Sequence, residues 1–210
     1  MSKTIVKKGQ SVLEFLYQLG QINPSIKAFQ LALLDVAPPL EQRAALMAED
    51  QNIVDRAREL RDTLRLPFWD GVMLTAANTN NLPGGLLNAA TFHQSLVGKI
   101  RRVDKASATF SHLTEIADAA QAQGRLLVFV SEIEMADGSS LHIPMLDFHS
   151  AFSDHATELV TDVIRTLNLT GVLLSSGKSY HFYGDQPVTP TRLSELLAKA
   201  LLFGPIVDRT

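Results

Sequence analysis

The 210-residue chain has no cysteine. Disulfides and thiolate metal sites are therefore excluded, which fits a reducing compartment, and a cytoplasmic location is expected. Nor is there a long apolar run. Lys3, Lys7 and Lys8 stand near the start, but no hydrophobic stretch of spanning length follows them. Neither a signal peptide nor a membrane partner is expected. The third lack is positive charge: 19 Lys and Arg face 22 Asp and Glu, for a formal net charge of −3. A free-standing binder of long duplexes is usually basic, because phosphate neutralisation dominates its affinity. That class does not suit the chain overall. A nucleotide, however, needs only a few well-placed groups, and basic surface can come from a partner.

What the chain does have is apolar mass. Hydrophobic residues make up 46% of it, enough for a buried core without covalent staples. Residues 1–124 read as mainly helical. Ser11 and Glu14 have capping-box spacing ahead of Val12, Phe15, Leu16 and Leu19, and Gly20 is read as the stop. Asn23-Pro24 is read as the start of a second helix through Ile26, Phe29, Leu31, Leu33 and Leu34. Leu40 to Leu64 is one long amphipathic helix or two short ones. Val72 to Leu74 reads as a short strand and Asn78 to Gly85 as a loop. Leu86 to Ile100 and Ser107 to Gln123 read as helices, the latter ending at Gly124.

The pattern changes at Arg125. Arg125 to Glu134 and Leu141 to His149 read as strands joined by the turn Ala136-Asp137-Gly138-Ser139. A helix follows over Ser153 to Leu167. Next come a strand from Gly171 to Ser176 and a second over Ser179 to Tyr183, or one strand kinked at Gly177. Thr191 to Phe203 closes the series as a helix. The expected class is α+β: an antiparallel-rich sheet with helices on one face over residues 125–210, preceded by the helical region 1–124, as two regions or one compact unit.

Two stretches can carry chemistry. In Leu146-Asp147-Phe148-His149, strand alternation puts Asp147 and His149 on one face, about 7 Å apart at Cα, within reach of one cation. The plainer alternative is a solvated polar strand end. The second stretch runs from Ser175 to Gly184. Its Gly177-Lys178-Ser179 invites a phosphate-loop reading, but that loop needs glycine at position 172, which is Val172. The alternating aromatic residues after Ser179 also suit a strand and not a helix. Ser179 and His181 then share one face, while Tyr180 and Phe182 share the other and enter the core. A hydroxyl, an imidazole and the Lys178 ammonium make a grip for a triphosphate. A structural histidine beside a turn lysine is the alternative.

The order of these elements, with Ser176-Gly177-Lys178-Ser179-Tyr180-His181-Phe182-Tyr183 as the second motif, resembles the small catalytic subunit of the archaeo-eukaryotic primases and its smaller prokaryotic relatives. The resemblance covers less than half of the chain, roughly Arg125 to Asp208. It implies nucleotidyltransferase chemistry in nucleic-acid replication, with a divalent metal, Mg²⁺ or Mn²⁺. It also implies a nucleotide or nucleic acid as partner. Asp147, the residue at position 149 and Asp208 of Val207-Asp208 would form the catalytic metal set. Ser176, Lys178, Ser179 and His181 would meet the incoming nucleotide's phosphates. The N-terminal helices match nothing in the family.

One departure bears on activity. The family's first motif normally ends in a second carboxylate, and here that place is His149. Hard Mg²⁺ prefers several charged oxygens, whereas imidazole favours softer ions. The substitution argues for weakened or lost polymerase chemistry. Glu132 and Glu134 would supply the missing carboxylate only if the hairpin register brought them beside Asp147. A weaker reading is a two-histidine, one-carboxylate metal enzyme drawing on Asp147, His142, His149, His155 and His181. A third is a non-catalytic scaffold with a decayed site, meeting a protein partner or another copy through its N-terminal helices. The basic cluster Lys99, Arg101, Arg102 and Lys105 could face a nucleic-acid backbone, but a solvated helix end is the favoured reading.

Overall fold

The computed structural model describes residues 5–7, 11–36, 51–64, 66, 68–79, 96, 98–148, 153–175, 179–204 and 206–207. The chain is α+β. Among the described residues it has two four-stranded sheets, antiparallel apart from one pair, with helices concentrated in the N-terminal region. Two compact units are formed, one from residues 1–35 and 96–209, the other from residues 36–95.

The smaller unit holds α2 (Gln51–Leu64) and α3 (Phe68–Thr79). Ile53, Val54 and Ala57 of the first pack on Phe68 and Val72 of the second. Gly71 lets them close: a Cβ there would lie 3.0 Å from the Ala57 carbonyl oxygen. The strand expected at Val72 to Leu74 is thus helix α3. Its buried residues Phe68, Val72, Thr75 and Ala76 keep helical spacing, and a short apolar run does not distinguish the two periods. Positions 40–50 and most of the helix expected over 86–100 lie outside the described residues.

In the larger unit, one sheet has the order β3-β2-β4-β5. Its strands are β2 (Ile26–Asp35), β3 (Ile100–Asp104), β4 (Arg125–Met135) and β5 (Ser140–His142). The helix expected from Ile26 is the 10-residue strand β2, paired with β3 on one side and β4 on the other. Register shifts between Ile26 and Ala28 and between Phe29 and Gln30 change its phase. A strand with such irregularities spaces its core residues by three as well as by two, which imitates a helix. The basic cluster is likewise a strand edge, not a helix end. Arg102 bonds Glu134 and Asp104 at 2.6 Å, Lys99 meets Asp35 at 3.4 Å, and the Lys105 ammonium donates to the Pro24 carbonyl at 2.6 Å.

Helices α1 (Val12–Ile22) and α4 (Phe110–Ala122) contribute to the core of this sheet, with Phe15, Leu16, Leu19, Leu113 and Ile116 meeting Phe29, Leu31, Phe129 and Ile133. The capping box of Ser11 and Glu14 is formed. The helix continues past Gly20 and is capped at Asn23, whose side-chain amide bonds the Leu19 and Asp185 carbonyls.

The second sheet has the order β1-β7-β8-β6, from β1 (Ile5–Lys7), β6 (Met145–Phe148), β7 (Gly171–Ser175) and β8 (Tyr180–Gly184). The pair β1–β7 is parallel. The single strand expected over Leu141 to His149 is two. After β5 the chain passes buried Ile143 and Pro144 and re-enters the other sheet as β6. Proline lacks the N–H a continuous ladder needs. Nor is 171–183 one kinked strand: Ser175 pairs with Tyr180 and Gly171 with Gly184, so the chain doubles back. Helices α5 (Asp154–Thr166) and α6 (Pro190–Ala200) pack on this sheet through Val160, Val163, Ile164, Leu196 and Ala200.

Candidate functional site

The site is set by the alternation of β6 and β8. Leu146, Phe148, Tyr180 and Phe182 point to one side and join Leu173 in the core beneath α5 and α6. Tyr180, wholly buried, anchors the start of α5. Its hydroxyl donates to the Ser153 carbonyl at 3.0 Å and lies 2.7 Å from the Thr157 hydroxyl. By alternation, Met145, Asp147, His181 and Tyr183 take the opposite side. Along this side, Met145, Tyr183 and Val172 pack against the core of the first sheet. Asp147 and His181 continue the same row, and their side chains are 61% and 33% exposed.

Asp147 and His181 are direct cross-strand partners. His181 Nδ1 lies 2.5 Å from an Asp147 carboxylate oxygen. An ionised carboxylate only accepts, so the imidazole nitrogen is the donor. This hydrogen bond holds the His181 pKa above the usual imidazole range, against the opposing effect of partial burial. Leu174, buried on β7, pairs with His181 on its other side. Tyr183 follows on the same row, and burial, helped by the charge of Asp147, pushes its phenol up to about 12. Sequence reasoning missed Tyr183 as a neighbour of the site. The signal was its two-residue spacing from His181.

Ser179 is half-buried and precedes β8. His149, Ser176, Lys178 and Asp208 lie outside the described residues. The residue before Asp208 is nonetheless informative, because Val207 bridges Phe148, the residue after Asp147. Glu134 is not beside Asp147. It pairs with Ser140 in the other sheet, and Lys27 and Arg102 engage it at 2.6 Å, holding its pKa at about 2. His142 is occupied with Ser131, its Nδ1 3.1 Å from that hydroxyl.

Among the described residues no three His, Asp or Glu side chains gather as a metal-binding group. Asp147 and His181 supply two donors that are bonded to each other. They do not make a complete set for a hard divalent ion, which takes about six ligands, mostly oxygen.

Residues 107–210 match a family model described as AEP-like, archaeo-eukaryotic primase 1D-like. No curated protein and no solved structure matches the chain. The matched residues include β6, β7, β8 and the Asp147–His181 pair.

Proposed function

Since residues 107–210 belong to the archaeo-eukaryotic primase superfamily, we propose that this row of β6 and β8 binds the triphosphate of a nucleotide. The observation that carries the reading is the Asp147–His181 contact, which favours a cationic imidazole on a partly exposed sheet face. A charged imidazole donates to phosphate oxygens more strongly than a neutral one. Ser179 adds a hydroxyl next to β8, and Ser176 and Lys178, just before it in sequence, would complete the grip. Asp147, His149 and Asp208 would be the set for a Mg²⁺ or Mn²⁺ ion, which would neutralise phosphate charge when bound. The Phe148–Val207 bridge supports grouping Asp147 with Asp208. With His149 in a carboxylate place, nucleotide binding is the primary activity and nucleotidyl transfer is weak or lost.

Calorimetric titration with ATP and Mn²⁺ tests this. Wild type should release heat, and His181→Ala should bind about tenfold more weakly, the worth of one charge-assisted hydrogen bond. Equal heats from the two proteins, or none from either, sink the reading.

A second reading, a protein-interaction module, draws on exposed Ile22, Leu64, Met73 and Leu74 on the N-terminal helices. Scattered apolar residues are common on surfaces, so only a stable oligomer in light scattering would favour it.

A further inference from the structure

Resting on that nucleotide-binding reading, we propose that Asp147 is a positioning residue for His181. Its carboxylate takes the Nδ1–H, orients the ring, and leaves Nε2 as the ring atom that meets a phosphate. The two residues face each other in register across β6 and β8, so the backbone ladder itself sets their separation. The contact is short, 2.5 Å, and it involves Nδ1 specifically. Buried Leu174 lies opposite His181 on β7, and Tyr183, next along the row, is packed against the ring of Phe15. Asp147 is thus the carboxylate that bonds Nδ1 of the ring. A carboxylate on one imidazole nitrogen fixes which nitrogen presents outward. Asp147 then acts on the nucleotide through His181, in addition to any role toward a metal.

The pair can be tested without a ligand by long-range ¹H–¹⁵N correlation spectra of the imidazoles, with His181→Gln identifying the signal. The neutral His181 ring should carry its proton on Nδ1 in wild type. In Asp147→Ala the proton should move largely to Nε2, the form imidazole prefers when unconstrained. Asp147 is mostly exposed, so this variant should fold, and Asp147→Asn offers a near-isosteric check. A neutral wild-type ring protonated on Nε2, or ring signals indifferent to Asp147, would overturn the proposal. ATP titrations in EDTA, where no metal can act through Asp147, add a double-mutant cycle. Asp147→Ala should weaken binding about tenfold in wild type and hardly at all in His181→Ala. Additive losses would show that Asp147 acts by another route and would also overturn it. If ATP binds no variant even with Mn²⁺ while the ring signature still depends on Asp147, the nucleotide reading fails and the positioning of His181 by Asp147 stands.

Discussion

The rings of Phe15 and Tyr183 lie 5.3 Å apart between centroids, tilted by 38°. This contact joins α1 to β8, the strand that carries His181, so the N-terminal helix helps fix one end of the candidate site. The contact also confines the Tyr183 phenol, whose proton is retained to about 12 in the fold against 10.0 for a free tyrosine. Between those values the folded state binds a proton that the unfolded chain has lost, so stability falls as pH rises. The contribution is intact below pH 10 and gone by about 12. Urea unfolding at pH 9 and pH 11 should show a larger drop for wild type than for Tyr183→Phe, which has no phenol proton to lose. Parallel drops in the two proteins would contradict this.

Gly171 makes a second prediction. A Cβ built on it would lie 2.1 Å from the Tyr183 carbonyl oxygen and 2.8 Å from the Gly184 Cα, both backbone atoms. Gly171→Ala must therefore shift β7 against β8. The expected loss is about 3 kcal/mol, at the upper end for overpacked cores, and ATP binding should weaken with it. A melting temperature within a degree of wild type would refute the prediction.

Glu134 gives an acid-side counterpart. Hydrogen bonds from Arg102 and Lys27 lower its pKa from 4.5 to about 2. The stabilisation is present above about 4.5, where the unfolded chain is also ionised, and is lost as pH falls toward 2. Glu134→Gln should therefore be less stable than wild type at pH 6. The gap should narrow at pH 3, as measured by denaturant midpoints. A gap of constant size would show that these bonds contribute nothing through charge.

Much of the second half was legible because its signals are local. Thr189 caps α6 with Pro190 in the first turn, Ser153 caps α5, and Gly138 sits at φ 85° in the turn after β4. Each of these depends on neighbours within a few residues. The readings that failed depend on distant ones. β2 reads as a helix because it is a central strand with core residues on both faces and a shifting register. Residues 171–183 read equally as two strands or as one strand kinked at Gly177, and only the antiparallel pairing of β7 with β8 decides for two. Leu141 to His149 reads as one strand, although Pro144 sits where the chain changes sheets.

At the site, strand alternation alone set Tyr180 and Phe182 apart from His181, because side chains on a strand point to opposite faces whatever the strand pairs with. The type of residue at each position, down to histidine at 149, is likewise a property of the sequence. Tertiary structure decided that Asp147, 34 positions away, stands opposite His181 and reaches its Nδ1. It also decided that Glu134 is held by Arg102 and Lys27. Register between strands is set by how whole faces pack against their cores, and a one-residue slip would turn Asp147 to the other side. No local pattern encodes that choice.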